Sequence, residues 1–188
     1  MIQLVLLIVV VLFPVSEVAI AVMKRSGGRA AQGEDRGSMR LLWISVAFGV
    51  GLAIAAQWIP STRLPGSPHL IRLLALGLLL GGLALRWAAI LTLGRLFTVD
   101  VAIHTGHVVV QAGLYRLVRH PSYTGLLVTF LGLGVYFANW LSILGLLIPV
   151  TLAVLNRVVK EEHALLTSLG AEYAAYCART KRFIPGLL

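Results

Sequence analysis

Five apolar runs, at roughly 1–23, 41–59, 70–91, 122–138 and 140–156, constrain this chain more than any other feature. Crossing the ~30 Å hydrocarbon core of a bilayer takes a helix of about 20 apolar residues. Soluble domains do not repeat runs of that length, so the pattern predicts an all-α integral membrane protein with five transmembrane helices. Composition points the same way. Of 188 residues, 59% are hydrophobic and only 12% charged, about half the charged share of an ordinary soluble domain. The fourth run is short, and only Ala138-Asn139-Trp140 parts it from the fifth. Those two runs read as a tight helical hairpin over 122–156.

The formal net charge of +9 would suit a nucleic-acid ligand, but its placement follows the membrane instead. Lys24, Arg25, Arg29, Arg36 and Arg40 fill the first loop, whereas the second, 60–69, has Arg63 as its only lysine or arginine. Arg95, Arg116 and Arg119 follow the third run; Arg157, Lys160, Arg179, Lys181 and Arg182 follow the fifth. Lysine and arginine accumulate on cytosolic loops. Five crossings then give one consistent topology: N-terminus outside, segment 92–121 and the C-terminus in the cytosol. The same cations favour anionic lipid headgroups. Ala19-Ile20-Ala21 resembles a signal-peptidase site, yet MIQL has no basic residue and the basic cluster lies beyond the apolar run. That order keeps the following loop in the cytosol, so run 1–23 is expected to be an uncleaved helix. The lone Cys177 excludes an internal disulfide and a multi-cysteine metal site.

On this pattern the chain divides into 1–91, three helices with a Gly-rich cytosolic loop at 24–40, and 92–188, which holds the chemistry. Residues 60–68 (PSTRLPGSP) carry three prolines and predict a short outer turn. Gly77 and Gly81 make a GxxxG in the third run, a spacing that suits close helix packing. Glu17 and Arg86 lie inside apolar runs, each near the cytosolic end of its helix. Charges within a membrane have a partner or a cavity. Arg86 either snorkels to the interface or pairs with Glu17 across helices one and three. Segments 92–121 and 157–188 are too polar to span, and the topology puts both on one membrane face. The second reads as a continuation of the fifth helix, broken at Gly170, then a short helix through Arg179.

Neither polar segment carries a common nucleotide or metal motif. His104 and His107 make an HxxH, and Glu161, Glu162 and His163 add donors. A spacing of three alone does not make a zinc site, and there is no HExxH, so no metal is expected. Ser122 follows a proline without the glycines of a nucleophile elbow. There is no P-loop and no GxGxxG between a strand and a helix, which excludes a Rossmann nucleotide domain.

What the segments do carry is GLYRLVRHPSYTG at 113–125, RVVKEEHALLTSLGAEYAAY at 157–176 and TKRFIP at 180–185. An RHPxYxG turn with a downstream RxxxEE and YxxY, each beside an apolar run, resembles the isoprenylcysteine carboxyl methyltransferase family and its phospholipid N-methyltransferase relatives. The likeness extends upstream through HTGHVVVQAG (104–113) to LGRLFT (93–98) and covers about 91–186. It implies a membrane enzyme that uses S-adenosylmethionine without a Rossmann fold and yields S-adenosylhomocysteine. The cofactor would lie on the cytosolic side under the C-terminal segment, and a lipid-tethered acceptor would enter through a gap between helices. Carried over by position, His107, Val108, Val109, Val110, Tyr115, His120, Pro121, Ser122 and Tyr123 correspond to cofactor contacts. Glu161 matches the family's cofactor-binding acid and Arg157 its substrate-contacting arginine. Asp100 falls where eukaryotic members place a polar cofactor contact, but its residue type departs from theirs.

The side-chain chemistry agrees. Imidazole and backbone N–H groups suit the cofactor's α-carboxylate, and a carboxylate such as Glu161 suits its ammonium or ribose hydroxyls. Tyr115 and Tyr123 offer faces to adenine or to the sulfonium, the latter by cation–π attraction of roughly 0.5–2 kcal/mol. Pro121 biases His120 away from helix and leaves a rigid turn whose following N–H groups are open to an anion. Each residue also has a structural alternative. His120 is a candidate helix cap, and Tyr115, Tyr123, Tyr173 and Tyr176 are candidate interfacial aromatics. Arg119 and Arg157 suit snorkelling anchors, and Glu161 and Glu162 suit a solvated face.

The acceptor stays open at this point. A carboxylate is already anionic at neutral pH and needs only orientation, for which a guanidinium such as Arg157 is suited. An amine must shed a proton, and Glu162 or Glu161 is then the candidate base. The catalytic candidates are therefore Arg157 and Glu162. The expected function is methyl transfer to the carboxylate of a prenylcysteine-like lipidated acceptor. A phospholipid or other lipid amine is the alternative acceptor, and a non-enzymatic membrane protein keeping the fold is the third reading. The expected partners are membrane lipids and the lipid-tethered acceptor, with no nucleic acid.

Overall fold

The computed structural model describes residues 2–23, 35–97 and 108–185. Five helices carry most of them: α1, Ile2–Met23; α2, Asp35–Ala55; α3, Pro68–Leu93; α4, Pro121–Tyr136; and α5, Trp140–Arg179. Of these, α1, α2, α3 and α5 are long and apolar enough to cross a membrane. α4 has 16 residues, ~24 Å at 1.5 Å per residue, and falls short of that length. α5 has 40, ~60 Å and about twice the hydrocarbon thickness. Its apolar stretch ends at Leu155, so the outer half, from 156 on, extends past the apolar belt. Gly170 breaks it with φ 52° and ψ −124°, where the sequence predicts the interruption.

Local chemistry sets the boundaries. Pro68 occupies the first turn of α3, and Gly94 ends that helix in a positive-φ conformation, its N–H donating to Ile90 O. Asn139, fully buried, caps α5 by accepting from Leu141 N and Ser142 N at 2.8 and 3.3 Å. Its amide donates to Ala56 O at 3.0 Å and Thr62 Oγ1 at 2.8 Å, and Leu64 N donates to Ala138 O. The α4–α5 turn and the proline-rich turn are thereby knitted together at one end of the bundle. The opposite end gathers the last turns of α1 and α3, the first turns of α2 and α4 and the outer half of α5.

Two expectations about the helices are corrected. α2 begins at Asp35 rather than near 41, so the last part of the 24–40 segment is helical and carries Ser38 into the interior; 24–34 lie outside the described residues. Gly77 and Gly81 do not mediate packing, for a Cβ on either would meet nothing within 4 Å. The close approach of α3 and α4 uses Gly82 and Gly125 instead. A Cβ on Gly82 would lie 2.5 Å from Thr129 N, and one on Gly125 2.5 Å from Arg86 N. Small residues of this kind let helices touch backbone to backbone where lipid offers no hydrophobic drive. α2 packs on α5 in the same manner, Gly49 facing Gly145 O. The core is a column of Leu79, Leu126, Phe130, Leu133, Leu146, Val150 and Val154. α1 lies on its flank, with Leu4, Leu7, Val11, Leu12 and Val15 exposed on the face that lipid would cover.

Candidate active site

Pro121 organises the polar end of the bundle. It takes the first helical position of α4, where a missing N–H does no harm, and holds His120 at φ −125°, ψ 54°. His120 does not cap α4 with its side chain. Its ring turns inward, 4% exposed, and Nε2 donates to Glu162 Oε1 at 3.2 Å.

Glu162 is a hub. Arg119 Nε donates to Oε1 at 2.9 Å, and Arg182 Nε and Nη2 donate to Oε2 at 3.0 and 2.7 Å. Burial alone would push this carboxyl up. Hydrogen bonds from His120, Arg182 and Arg119 outweigh it and hold the group well below the usual carboxylate range. The arginines come from distant parts of the chain, one before α4 and one after α5. Residues 180–183 run beside 118–120 to bring them together. Val118 pairs in parallel with Lys181, Arg119 N donates to Lys181 O at 2.8 Å, and His120 N to Arg182 O at 3.0 Å. Thr124 Oγ1 donates to Phe183 O. Arg119 Nη1 also donates to Cys177 O at 3.1 Å and to Thr180 O. Tyr176 Oη donates to Tyr115 O at 2.6 Å. Tyr173 and Tyr176 are both buried, which makes them braces of this cap rather than interfacial aromatics. Arg119, likewise, is bound inward and is not a snorkelling anchor.

Glu161, the neighbour of the hub, has a different setting. It is half-buried and, among the described residues, has no hydrogen-bond or ion-pair partner. Its carboxylate lies within electrostatic reach of the Tyr115 and Tyr123 hydroxyls. Burial, with the Glu161 charge adding to it, pushes the Tyr115 phenol well above its ordinary value. Pro121 and Ser122 are buried in the first turn of α4. Val108 is exposed and Val109 and Val110 are half-buried in the irregular segment that leads to the 113–116 turn. His107, Asp100 and His104 lie outside the described residues.

A second set of polar groups meets the first at Tyr123. Arg157, 2% exposed, donates from Nε to Tyr123 Oη at 3.2 Å and from Nη1 to Ser38 Oγ at 3.1 Å. Arg86 does not snorkel. It forms the pair with Glu17, Nε to Oε1 at 2.5 Å and Nη2 to Oε2 at 2.6 Å, and its Nη1 donates to Ser122 O and Oγ at 3.3 and 3.0 Å. Of these groups, Glu17, Arg86, Tyr123 and Arg157 line an open cleft between α1 and α2, with Trp43 and Leu126 on its walls. A second open groove shares Glu17, Leu42, Trp43 and Leu126 with it, and continues between Phe13, Pro14, Val46 and Phe130.

Sequence reasoning finds the RHPSY turn, Arg157 and both glutamates, and the fold brings them to one end. It misses that Arg119 and Arg182 converge on Glu162, that Ser38 reaches Arg157, and that Arg86 bonds Ser122. Arg86 and Glu17 give a signal, as charges inside apolar runs. Ser38 gives none. As a chemical device, the end combines a half-buried carboxylate without a hydrogen-bond or ion-pair partner among the described residues, two tyrosines, and guanidinium groups facing a cleft that grows apolar with depth.

Residues 74–167 match the model of the isoprenylcysteine carboxyl methyltransferase family. Protein-S-isoprenylcysteine O-methyltransferase B of Arabidopsis thaliana is 34% identical over 106 residues, 55% of this chain and 54% of that protein. The protein-S-isoprenylcysteine O-methyltransferase of Xenopus laevis is 30% identical over 142 residues, 71% of this chain and 49% of its own length. Among solved structures, the eukaryotic intramembrane Ras methyltransferase superposes with a TM-score of 0.61 at 26% identity, over 82% of this chain and 54% of that one. The chain spans about half the length of the curated relatives it matches.

Proposed function

The chain belongs to the isoprenylcysteine carboxyl methyltransferase family, and from that premise we propose that it methylates the carboxylate of a prenylcysteine-like lipidated acceptor with S-adenosylmethionine. The observation that carries the reading is the continuity of two spaces. A cleft with Arg157 and Arg86 on its wall opens into an apolar groove, which suits one molecule with an anionic head and a greasy tail.

The residues present fit the cofactor. Glu161 is a half-buried carboxylate with no protein partner among the described residues, suited to an ammonium or to ribose hydroxyls. Tyr115 and Tyr123 offer π-faces, and the N-terminus of α4 behind Pro121 offers N–H groups to a carboxylate. His120, Pro121, Ser122, Val108, Val109 and Val110 complete the wall, with His107 on the segment before them. When bound, S-adenosylmethionine supplies a methyl group activated on a sulfonium and leaves as S-adenosylhomocysteine.

The rest of the work is positioning. Arg157, fixed by Tyr123 and Ser38, orients the acceptor carboxylate, which is anionic at neutral pH and needs no base. Glu162, held ionised by three donors' side chains, is a weak base. Its role is to set Arg119, His120 and Arg182, so it is a positioning residue. Glu17, the carboxylate nearest the groove, is bound by Arg86. An amine acceptor would need a free base; Glu162 and Glu17 are both engaged, and Glu161, the remaining candidate, is given to the cofactor in this reading.

In the membrane α4 crosses with its four longer companions as the fifth helix. The division at 91/92 then separates three helices that shape the acceptor side from the methyltransferase core. The basic residues of the site end, Arg40, Arg95, Arg116, Lys160, Arg179 and Lys181 among them, outnumber Arg63 and Arg72 at the other. That asymmetry supports a cytosolic active site and C-terminus, with the N-terminus outside.

The test is methyl transfer by the full chain to a prenylcysteine analogue and, in parallel, to phosphatidylethanolamine. Transfer to the first alone is expected; transfer to the amine alone overturns the reading, and transfer to neither points to a non-enzymatic protein. The cofactor assignment is tested by calorimetry with S-adenosylhomocysteine. Glu161→Ala and His120→Ala are each expected to weaken binding at least tenfold, about 1.4 kcal/mol, and unchanged binding in both would sink it.

A further inference from the structure

We propose that the edge-to-face pair of Phe13 and Phe130 is the floor of the acceptor groove and sets the length of isoprenoid tail that the site accepts. This inference rests on the functional reading above. The two spaces share four residues, and their walls descend together. On α1 the lining moves from Ala21, Ile20 and Glu17 to Pro14 and Phe13. On α2 it moves from Met39 and Trp43 to Val46, and on α4 from Tyr123 and Leu126 to Phe130. Each helix therefore carries the space inward from the polar end, and the α1 wall from Ala21 to Phe13 is ~12 Å long at 1.5 Å per residue.

For a tail whose carboxylate lies at Arg157, the groove offers an apolar path inward along α1. The lower groove is apolar except for Glu17, whose charge is balanced by two bonds from Arg86. At the bottom the rings of Phe13 and Phe130 meet at 82°, centroids 5.5 Å apart, with 6% and 3% of their surfaces exposed. Below Phe13 the same stripe of α1 continues as Val9 and Leu6, both within the packed core. The stripe that borders open space above Phe13 is filled below it. An aromatic floor of this kind discriminates by length, since a tail one isoprene unit too long must displace a buried ring or leave its end outside. The occupant is a single isoprenoid chain rather than a pair of acyl chains because the groove shares four residues with a single cationic head cleft and is bounded by only three helices, α1, α2 and α4, among the described residues.

The experiment compares kcat/KM of the full chain toward S-geranyl-, S-farnesyl- and S-geranylgeranyl-N-acetylcysteine, using wild type, Phe13→Leu, Phe130→Leu and Val46→Phe. Lowering the floor with either leucine is expected to raise the geranylgeranyl-to-farnesyl ratio about tenfold, the order of discrimination that small steric changes give in apolar pockets. Val46→Phe fills space above the floor and is expected to shift preference toward the geranyl acceptor. Val46 lines the groove outside the buried core set, so this variant keeps the test decisive if a floor variant fails to fold. A wild type that methylates prenylcysteines, with ratios in all folded variants within twofold of it, would overturn the floor and point to an ordinary lipid chain in the groove. A wild type that methylates none of the three overturns the functional reading, and the floor with it.

Discussion

The polar cap and the groove beside it are held together in opposite ways. In the cap, Arg119, His120, Glu162, Tyr176, Thr180 and Arg182 are cross-linked by side-chain and backbone hydrogen bonds that join three separate stretches of chain. In the groove, α1 touches the bundle through apolar packing and one bidentate ion pair, Glu17 with Arg86. The first arrangement over-determines its geometry, because every member of a satisfied buried network fixes the others. The second leaves a wall that can yield to a greasy ligand. On the proposed function, a methyl donor must be held to within a fraction of an ångström, whereas the flank of a tail groove can give way so long as its Phe13–Phe130 floor stays fixed. On that reading, rigidity lies where the chemistry requires it.

The most forceful way to break this comparison is to remove the hub. Glu162→Ala leaves three cationic or polar donors facing a hole, with Arg119 largely buried, and breaking such a set from one side costs about 3–5 kcal/mol. A large fall in the thermal midpoint is expected, together with loss of S-adenosylhomocysteine binding by calorimetry. If acceptor KM alone suffered, the hub would belong to the groove and the contrast would fail.

Arg157→Ala comes next and separates the two regions from within. Arg157 stands between them, bonded to Tyr123 of the cap and Ser38 of α2. Removal of a donor that orients the reacting anion is expected to lower kcat about 100-fold, while S-adenosylhomocysteine affinity stays within a few-fold. Arg157→Lys restores charge without the planar fork and is expected to recover part of the rate. A kinetic comparison in which lysine does as well as arginine would remove the role of the planar guanidinium.

Glu17→Gln probes the groove with a milder change. The amide oxygen still accepts from Arg86, but the charge is gone. Acceptor KM is expected to rise severalfold with cofactor affinity untouched. Equal losses of both would mean that the Arg86–Ser122 bonds transmit the change into the cap, and the regions would then be one unit.

How much of this was legible in the sequence follows from the same contrast. Apolar runs, the Asn139 turn, the Gly170 break and the RHPSY and RxxxEE motifs are local; apart from the start of α2 the helices form where they predict, and both motifs lie at one end of the bundle. The Glu17–Arg86 pair was one of two open readings, because an unmatched charge in an apolar run shows that a partner is needed without showing which. Gly77 and Gly81 misled, since a GxxxG spacing says nothing about which face of a helix meets its neighbour. The convergence of Arg119 and Arg182 on Glu162 was not readable at all. It depends on residues 180–183 returning alongside 118–120, a tertiary pairing that no local spacing records. Ser38 was hidden for another reason: it sits in a stretch whose glycines and charges read as loop, and burial against Arg157 overrides that propensity.

The smallest effect concerns protons and tests the cap alone. Glu162 has a folded-state pKa below that of an ordinary glutamate, because His120, Arg182 and Arg119 favour the ionised form more than burial opposes it. Its contribution to stability is therefore complete above the unfolded pKa, near 4.3. It is lost only as pH falls from there through the lower folded value. The quantity to follow is the thermal midpoint of wild type minus that of Glu162→Gln. This difference is expected to be level from about pH 8 to pH 5.5, where Glu162 is ionised in both states, and to shrink below about pH 4. A difference that grew on acidification would mean that Glu162 is buried as a neutral acid. The two arginines would then need another counter-charge, and the cap would owe its rigidity to the paired backbone of 118–120 and 181–183 rather than to the hub.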